Sequence, residues 1–210
     1  MNDFVENAVN RYPALSVCRN EIEKTIELLI EVVKNDSTIF VAGNGGSASD
    51  ADHICGEFLK GFMLKRELTP DEKNALSVFG ETGCDLANKL QRGIKAISLL
   101  SHPGFNSAFL NDVDGSMSFA QQLFALGRKG DVLIAISTSG NADNLKKAMI
   151  VAKSRGIATV LLTGARHGAC EKFADLVINA PECETYKVQE YHLPIYHAIC
   201  QAVEDYFFGK

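Results

Sequence analysis

The sequence has no tryptophan and few other aromatic residues, with 12 Phe and 5 Tyr among 210 residues. An aromatic-rich surface on which nucleic-acid bases could stack is therefore not expected. Positive charge is not in excess either, because the formal net charge is −5, which disfavours a general nucleic-acid binder. An anionic ligand remains compatible with this composition, since backbone N–H groups at a helix N-terminus hold phosphate without extra Lys or Arg.

Long apolar stretches and targeting segments are also lacking. No segment is long and apolar enough to span a bilayer, and residues 1–6 show neither the basic nor the apolar region of a signal peptide. The six cysteines are scattered without a CxxC pair, which predicts free thiols that mostly fill the core. We therefore expect a cytoplasmic protein with neither a membrane nor a nucleic acid as partner.

Short apolar runs alternate with helical patterns along the chain. Because the runs are continuous rather than alternating, they predict strands buried on both faces of a mostly parallel sheet, within one α/β domain. The predicted strands are 38–42, 96–100, 131–136, 158–162 and 176–178. The predicted helices are 16–34, 47–62, 117–127, 141–155, 168–173 and 185–208, the last being a long C-terminal helix.

Two regions lie outside this alternation. Residues 1–34 read as helices broken at Pro13, and Ile22, Ile26 and Leu29 form an apolar stripe on the second of them. That stripe fits a core-facing helix and an oligomer interface equally well. Residues 65–92 read as an insertion, with a helix starting at Thr69 and Pro70, that could form a lid or a flap at a subunit contact.

A glycine-rich turn follows the first predicted strand. Glycines let the backbone approach an anion closely, and the N-terminus of the following helix supplies N–H donors and a favourable dipole. The turn is not a P-loop, because no Lys-Ser/Thr follows the glycines. Taken alone, it could also be a tight turn without a ligand. Its candidate phosphate ligands are Asn44, Gly45, Gly46 and Ser47.

A second turn, rich in hydroxyls, follows the third predicted strand. A helix cap needs only one hydroxyl, whereas this turn has three in a row. Since ligands of open α/β sheets bind beyond the carboxyl ends of the strands, both turns should flank one small phosphorylated ligand. The candidate ligands in this turn are Ser137, Thr138, Ser139 and Asn141.

At these turns the sequence resembles the SIS (sugar isomerase) family and, within it, the phosphoheptose isomerase subfamily. The resemblance runs from about Val5 to Phe208 and implies a flavodoxin-like three-layer αβα sandwich with a five-stranded parallel sheet and added N-terminal helices. It also implies a homotetramer with active sites at subunit contacts. Further matching motifs are His53 with Glu57, Asn111-Asp112, Gly130-Asp131-Val132-Leu133, and Gln189-Glu190-x-His192-x-x-x-x-His197.

The resemblance implies an enediol isomerisation of sedoheptulose 7-phosphate to D-glycero-D-manno-heptose 7-phosphate. Glu57 would be the base and His197 its acid partner, a division of labour that suits a carboxylate and an imidazole. Asp112 and Gln189 would contact the substrate. The resemblance also implies one zinc ion per active site, held by His53, Glu57, Gln189 and His197.

Helical spacing agrees with parts of this set. His53 and Glu57 lie four residues apart and share a helix face, and Gln189 and His197 lie eight apart, just over two turns. Glu190, seven residues before His197, aligns with it even better and is a second candidate. The other histidines are expected in lesser roles, His192 in packing and His102 and His167 at the surface.

The sequence also departs from the subfamily pattern. Ala142 replaces a usual serine, Lys60 stands near the place of a usual arginine, and Val188 precedes Gln189 where an acidic residue is expected. These departures leave the identity of the sugar open. The alternative function is a non-catalytic phosphosugar-binding protein, acting as a regulator or as an adaptor for a replication initiator. The presence of both Glu57 and His197 favours an enzyme.

Overall fold

The computed structural model of the chain describes residues 2–209 and has a five-stranded, wholly parallel sheet with the order β2-β1-β3-β4-β5. This confirms the predicted sheet. The apolar strands β1 and β3 are buried along their whole length, as strands covered on both faces must be. The strands are β1 Ile39–Gly43, β2 Ala96–Ser98, β3 Val132–Ile136, β4 Ala158–Thr163 and β5 Leu176–Asn179.

Helices cover both faces of the sheet. They are α1 Asn2–Arg11, α2 Arg19–Lys34, α3 Gly46–Leu59, α4 Pro70–Ser77, α5 Gly80–Lys89, α6 Pro103–Phe109, α7 Ser118–Leu126, α8 Asp143–Arg155 and α9 Thr185–Phe208. The core on one face joins the sheet to α2, α3 and α9, and the core on the other joins it to α7 and α8. The result is the expected three-layer αβα sandwich.

The ends of some elements differ from the predictions. Strand β2 ends at Ser98 because the chain turns there, with the Leu100 N–H donating to Ser98 Oγ at 3.3 Å. The short helix predicted for 168–173 is one 3₁₀ turn, Glu171–Phe173. Helix α3 ends at Leu59 rather than at residue 62, because Lys60 is already extended.

The N-terminal helices pack against the sheet domain. Pro13 separates α1 from a 3₁₀ segment, Pro13–Cys18, after which α2 begins at Arg19, three residues later than predicted. The stripe of Ile22, Ile26 and Leu29 is at most 1% exposed and lies in the core, so the core-facing interpretation is the correct one.

The insertion 65–92 contains the two short helices α4 and α5. Thr69 caps α4 as predicted: the Glu72 N–H donates to Thr69 Oγ1 at 3.3 Å, and the Thr69 N–H donates to Glu72 Oε2 at 2.7 Å. At the junction of the two helices, Val78 and Phe79 are 77% and 76% exposed. The role of the insertion as a lid or flap stays a prediction.

The cysteines are free thiols, as predicted. Four are buried and pack as core side chains, whereas Cys84 and Cys183 are exposed. No helix within residues 2–209 combines the length and the apolar character that crossing a membrane requires.

Candidate active site

Both predicted phosphate turns meet at the carboxyl end of the sheet. Strands β1 and β3 are hydrogen-bonded neighbours, and the connections from β1 to β2 and from β3 to β4 run to opposite sides of this pair. A crevice opens where the strand order reverses in this way. A cavity of about 310 Å³ lies there, lined by every predicted turn residue except Asn141, and also by Thr185 and Gln189 of α9.

The first turn needs glycine at two positions for different reasons. Gly45 has φ +57° and ψ −122°, a conformation that side chains rarely adopt. Gly46 has an ordinary φ, but a Cβ added there would lie 2.5 Å from Gln189 Nε2. The Gln189 amide therefore rests directly on the backbone at the start of α3, where the helix dipole favours an anion.

The second turn provides unpaired hydroxyls. Within residues 2–209, the hydroxyls of Ser137 and Thr138 make no hydrogen bond to the protein, and neither does that of Ser47 on the first turn. Ser139 differs, because its Oγ accepts from the Asn141 N–H at 3.2 Å. Three hydroxyls in the cavity wall are thus available to a phosphate.

The Asn141 side chain bonds to the backbone of the surrounding loops and does not line the cavity. Its Oδ1 accepts from the Ala169 N–H at 2.9 Å, and its Nδ2 donates to the Ser139 carbonyl at 2.8 Å. The following residue, Ala142, occupies the N-cap of α8 and makes no side-chain cap. The hydroxyl that the subfamily usually has at this position is therefore absent, as the sequence indicates.

A pair of amides connects the two turns. Asn44 Nδ2 donates to Asn144 Oδ1 at 3.0 Å, and Asn144 Nδ2 donates to Asn44 Oδ1 at 2.8 Å. Asn144 stands in the first turn of α8 and was missed in the sequence analysis, because no motif pointed to it. The reciprocal pair joins the turn after β1 to the start of α8.

The predicted acid and base lie further along α3 and α9. His53 Nε2 is 3.2 Å from Glu57 Oε1, and Lys60 Nζ is 2.9 Å from Glu57 Oε2. The His197 ring lies 5.1 Å from the His53 ring, centroid to centroid. We call His53, Glu57 and His197 the acid–base cluster. Lys60 brings the positive charge anticipated near Glu57, as a point charge without the fork of an arginine.

Burial favours the neutral form of the His197 imidazole. Burial lowers its pKa below the ordinary value, the nearby His53 lowers it further, and Glu57 partly opposes both effects. Its Nε2 is buried and has no protein partner within residues 2–209. His197 also lines a second cavity of about 370 Å³, between α1 and α9, together with Arg11 and Gln201.

The structure does not bring Gln189 to the acid–base cluster. Gln189 contacts Gly46, which lies eleven residues before Glu57 on α3, a rise of about 16 Å. Along α9 it lies eight residues, about 12 Å, before His197. Within one chain, the phosphate cavity and Glu57 therefore lie at opposite ends of α3.

The remaining candidate residues lie apart from the phosphate cavity and from the acid–base cluster. Asp112 is exposed on a π-helical turn, Leu110–Asp114, where its Oδ1 accepts from Asn111 Nδ2 at 2.8 Å. Glu190 is exposed on α9, and His167 is exposed as expected. His102 is also exposed, but its Nδ1 is 2.9 Å from Oε1 of the buried Gln122. His192 is buried, as the packing interpretation requires, with Nε2 3.3 Å from the Thr163 carbonyl.

The donor types around Glu57 fit a zinc ion, but their arrangement in the single chain does not. Two imidazoles and a carboxylate are ordinary zinc ligands, and the unpartnered His197 Nε2 is free to coordinate. However, no three His, Cys, Asp or Glu side chains within residues 2–209 are placed to hold a metal. Both nitrogens of His53 are also engaged, Nε2 with Glu57 and Nδ1 with the Tyr196 hydroxyl at 3.0 Å. Zinc binding stays a prediction.

Buried Arg66 supports the C-terminal end of α3. Its guanidinium donates to the carbonyls of Phe58 at 2.6 Å and Glu57 at 2.8 Å, where the negative end of the helix dipole favours a cation. Neither Arg66 nor its partner Glu204 was singled out from the sequence, since one lies in the irregular insertion and the other 138 positions away.

The chain is similar to known proteins in domain family, in sequence and in structure. The SIS domain family matches residues 107–200. A phosphoheptose isomerase from Aneurinibacillus thermoaerophilus is 35% identical over 99% of this chain and 96% of that protein. Phosphoheptose isomerase 2 from Campylobacter jejuni subsp. jejuni serotype O:2 is 37% identical over 87% of this chain and 78% of that protein. The structure of phosphoheptose isomerase GmhA from Neisseria gonorrhoeae superposes with a TM-score of 0.72 at 28% identity, covering 94% of each chain.

Proposed function

The chain belongs to the phosphoheptose isomerase family, and from this premise we propose that it converts a ketose phosphate to an aldose phosphate. The substrate we propose is sedoheptulose 7-phosphate and the product D-glycero-D-manno-heptose 7-phosphate. The strongest support is that one chain combines a phosphate cavity, which has three unpartnered hydroxyls, with the acid–base cluster.

In this proposal Glu57 moves the carbon-bound proton. It takes the proton from C1 of the ketose, which gives an enediol. Glu57 then delivers a proton to C2. The His197 imidazole donates a hydrogen to the C2 oxygen and takes one from the C1 oxygen, so that the carbonyl moves from C2 to C1. Glu57 is 8% exposed, so little bulk water competes for its carboxylate.

The phosphate would lie in the cavity between the two turns. The hydroxyls of Ser47, Ser137 and Thr138 would donate to its oxygens, and the N-terminus of α3 would add its dipole. The Gln189 amide, resting on Gly46, would contact the substrate from α9.

We propose that the enzyme is a homotetramer in which each active site combines two subunits. The supporting observation is that the phosphate cavity, at Gly46, and Glu57 lie at opposite ends of α3, a rise of about 16 Å. Mixing a Ser137→Ala variant with a Glu57→Gln variant, after exchange of subunits, should restore wild-type activity at low substrate concentration, which neither variant has alone. Unrestored activity in demonstrably mixed tetramers would contradict the shared site.

Zinc is a second part of the proposal. His53, Glu57 and His197 would hold one ion per site, with the predicted fourth ligand, Gln189, lying apart in the single chain. When bound, zinc would polarise the sugar carbonyl as a Lewis acid. Metal analysis of purified protein and of a His53→Asn variant tests this, since the variant should bind less than a tenth of the wild-type zinc content.

We also propose a cytoplasmic location. The four buried cysteine thiols pack as core side chains, which suits a compartment that keeps thiols reduced.

The test of the proposed activity is an assay of a panel of ketose phosphates, with aldose formation as the readout and Glu57→Gln as the control. We expect turnover by the wild type and loss of at least a thousandfold in Glu57→Gln. A non-catalytic regulator or adaptor would instead bind a phosphosugar without turning it over. Absence of turnover with every ketose phosphate would overturn the proposal in favour of that alternative.

A further inference from the structure

Helix α9 begins at the wall of the phosphate cavity. Its first residue, Thr185, lines the cavity, as does Gly46, the first residue of α3. Ala142, the N-cap of α8, lines the same cavity. Three helix N-termini therefore meet at one cavity, and each carries a partial positive charge that favours an anion.

The positive charge of the cavity wall comes from these helix ends. None of the described residues that line the cavity carries a charged side chain. A phosphate monoester carries about −1.5 to −2 charges near pH 7, whereas a helix N-terminus provides about +0.5. The ends of α3 and α8 would together balance only about one charge. The end of α9 brings the total to about +1.5, which approaches the charge of the phosphate.

Within residues 2–209, the first turn of α9 has hydrogen-bond donors without a protein acceptor. These donors are the Thr185 hydroxyl and the backbone N–H groups of Thr185, Tyr186 and Lys187. The N-cap residue, Glu184, makes no side-chain cap, and its Oε1 instead accepts from Lys187 Nζ at 2.7 Å. The donors at the start of α9 therefore remain available to a ligand in the cavity.

Two buried hydroxyls on the phosphate turns indicate independently that the cavity takes a ligand. Ser47 and Ser137 are 3% and 7% exposed, and their hydroxyls have no protein partner among the described residues. Because buried polar groups are rarely left unpaired, these hydroxyls point to a ligand rich in acceptor atoms. We propose that Thr185 is a phosphate-binding residue, whose hydroxyl donates to the phosphate from α9 while the two serines donate from the turns. The inference rests on the proposed function, since it adds a residue to the phosphate site of the same substrate.

Calorimetry with inorganic phosphate tests the role of Thr185 and requires no turnover. Thr185→Val removes the hydroxyl and keeps the shape of the side chain, so the dissociation constant for phosphate should rise about tenfold. Thr185→Ser keeps a hydroxyl and should stay within about twofold of wild type. Thr185→Asp places a negative charge beside the phosphate, which should weaken binding about a hundredfold. The same charge interacts favourably with the dipole of α9, so the midpoint of urea unfolding should not fall.

Steady-state kinetics with the ketose phosphate gives a second readout. KM should rise in parallel with the phosphate dissociation constant in Thr185→Val, and kcat should change less than about twofold, because the hydroxyl contacts the phosphate and not the reacting carbons. Thr82, which is exposed in the first turn of α5, provides matched controls. Thr82→Val and Thr82→Asp should change neither phosphate binding nor the kinetic constants.

The outcomes separate this inference from the proposed function. Phosphate affinity at the wild-type level in Thr185→Val or Thr185→Asp would overturn the inference, and so would equal losses in Thr185→Val and Thr185→Ser. A wild-type protein that binds no inorganic phosphate would overturn it as well. If the wild type bound phosphate through Thr185 but turned over no ketose phosphate, the proposed isomerisation would fail and the role of Thr185 would stand.

Discussion

Arg66 and Glu204 form a buried ion pair, with Arg66 Nε 2.7 Å from Glu204 Oε1 and side chains 0% and 1% exposed. The carboxylate also accepts hydrogen bonds from three backbone N–H groups of residues 62–64. The guanidinium donates to the carbonyls of Glu57 and Phe58. The pair thus joins the end of α3, the segment that leaves it and α9, next to the proposed catalytic base.

Removal of one partner of this pair should destabilise the fold strongly. Arg66→Met would leave the Glu204 charge buried with only the backbone donors, which typically costs about 3–5 kcal/mol. Urea unfolding of Arg66→Met and Glu204→Gln measures this cost. Lys89→Met, which breaks the exposed pair with Asp85, is the control and should leave the unfolding free energy nearly unchanged. A wild-type midpoint in both buried variants would contradict the stabilising role of the pair.

Two Gly→Ala substitutions on α3 should have different effects, one on KM and the other on stability. Gly46→Ala places a methyl 2.5 Å from Gln189 Nε2, so the amide must move out of the phosphate cavity. We expect KM for the phosphosugar to rise about tenfold, the effect of losing one hydrogen bond to a charged ligand. Gly56→Ala is the control: it lies inside the helix with open space around its Cβ, and should stabilise the protein by about 0.5–1 kcal/mol. An unchanged KM in Gly46→Ala would mean that Gln189 does not contact the substrate.

The cavity hydroxyls should determine phosphate affinity. Ser47→Ala and Ser137→Ala each remove a donor that has no protein partner, so the fold should tolerate both changes. Each should raise KM about 10- to 100-fold, as expected for a hydrogen bond to a charged group. Steady-state kinetics of both variants gives the comparison. Ser154→Ala, at an exposed hydroxyl on α8, should change nothing. Equal KM values for wild type and all three variants would mean that the phosphate does not bind to these cavity hydroxyls.

The stability of the fold should depend on pH through His192. Burial lowers the pKa of His192 to about 4, whereas in the unfolded chain it is about 6.5. Between these values the unfolded chain binds a proton that the folded chain does not, so stability is complete above pH 6.5 and is lost as the pH falls towards 4. The loss should reach about 3 kcal/mol.

A His192→Gln variant separates this effect from that of the carboxylates. Urea unfolding at several pH values gives the slope of the unfolding free energy against pH, which reports how many more protons the unfolded chain binds than the folded chain. Between pH 6.5 and 4, this number should be smaller in His192→Gln than in wild type by up to one proton. His167→Gln, at an exposed ring, should keep the wild-type slope. Identical slopes for wild type and His192→Gln would show that His192 is not held neutral by the fold.

Local patterns in the sequence were sufficient for the sheet and for the two turns. Continuous apolar runs identify buried parallel strands, and the parallel arrangement places the turns after β1 and β3 at one edge. The capping residues Thr69 and Glu72 likewise identify the start of α4, because the bonds they make are local.

Contacts between distant parts of the chain could not be predicted in this way. Asn144 pairs with Asn44 across 100 positions, and Arg66 with Glu204 across 138, and neither pair has a spacing rule. Gln189 and His197 lie two helical turns apart, but the spacing does not show that Gln189 approaches Gly46 while His197 approaches His53. Such relationships depend on how α3 packs against α9.

The most direct test of the central claim is isomerisation in D₂O followed by NMR of the product. If Glu57 transfers a proton through an enediol and exchanges it with solvent, the aldose phosphate formed from sedoheptulose 7-phosphate should carry deuterium at C2. Glu57→Gln should form no product at a comparable rate. Product without deuterium at C2, formed equally fast by the wild type and Glu57→Gln, would contradict the account.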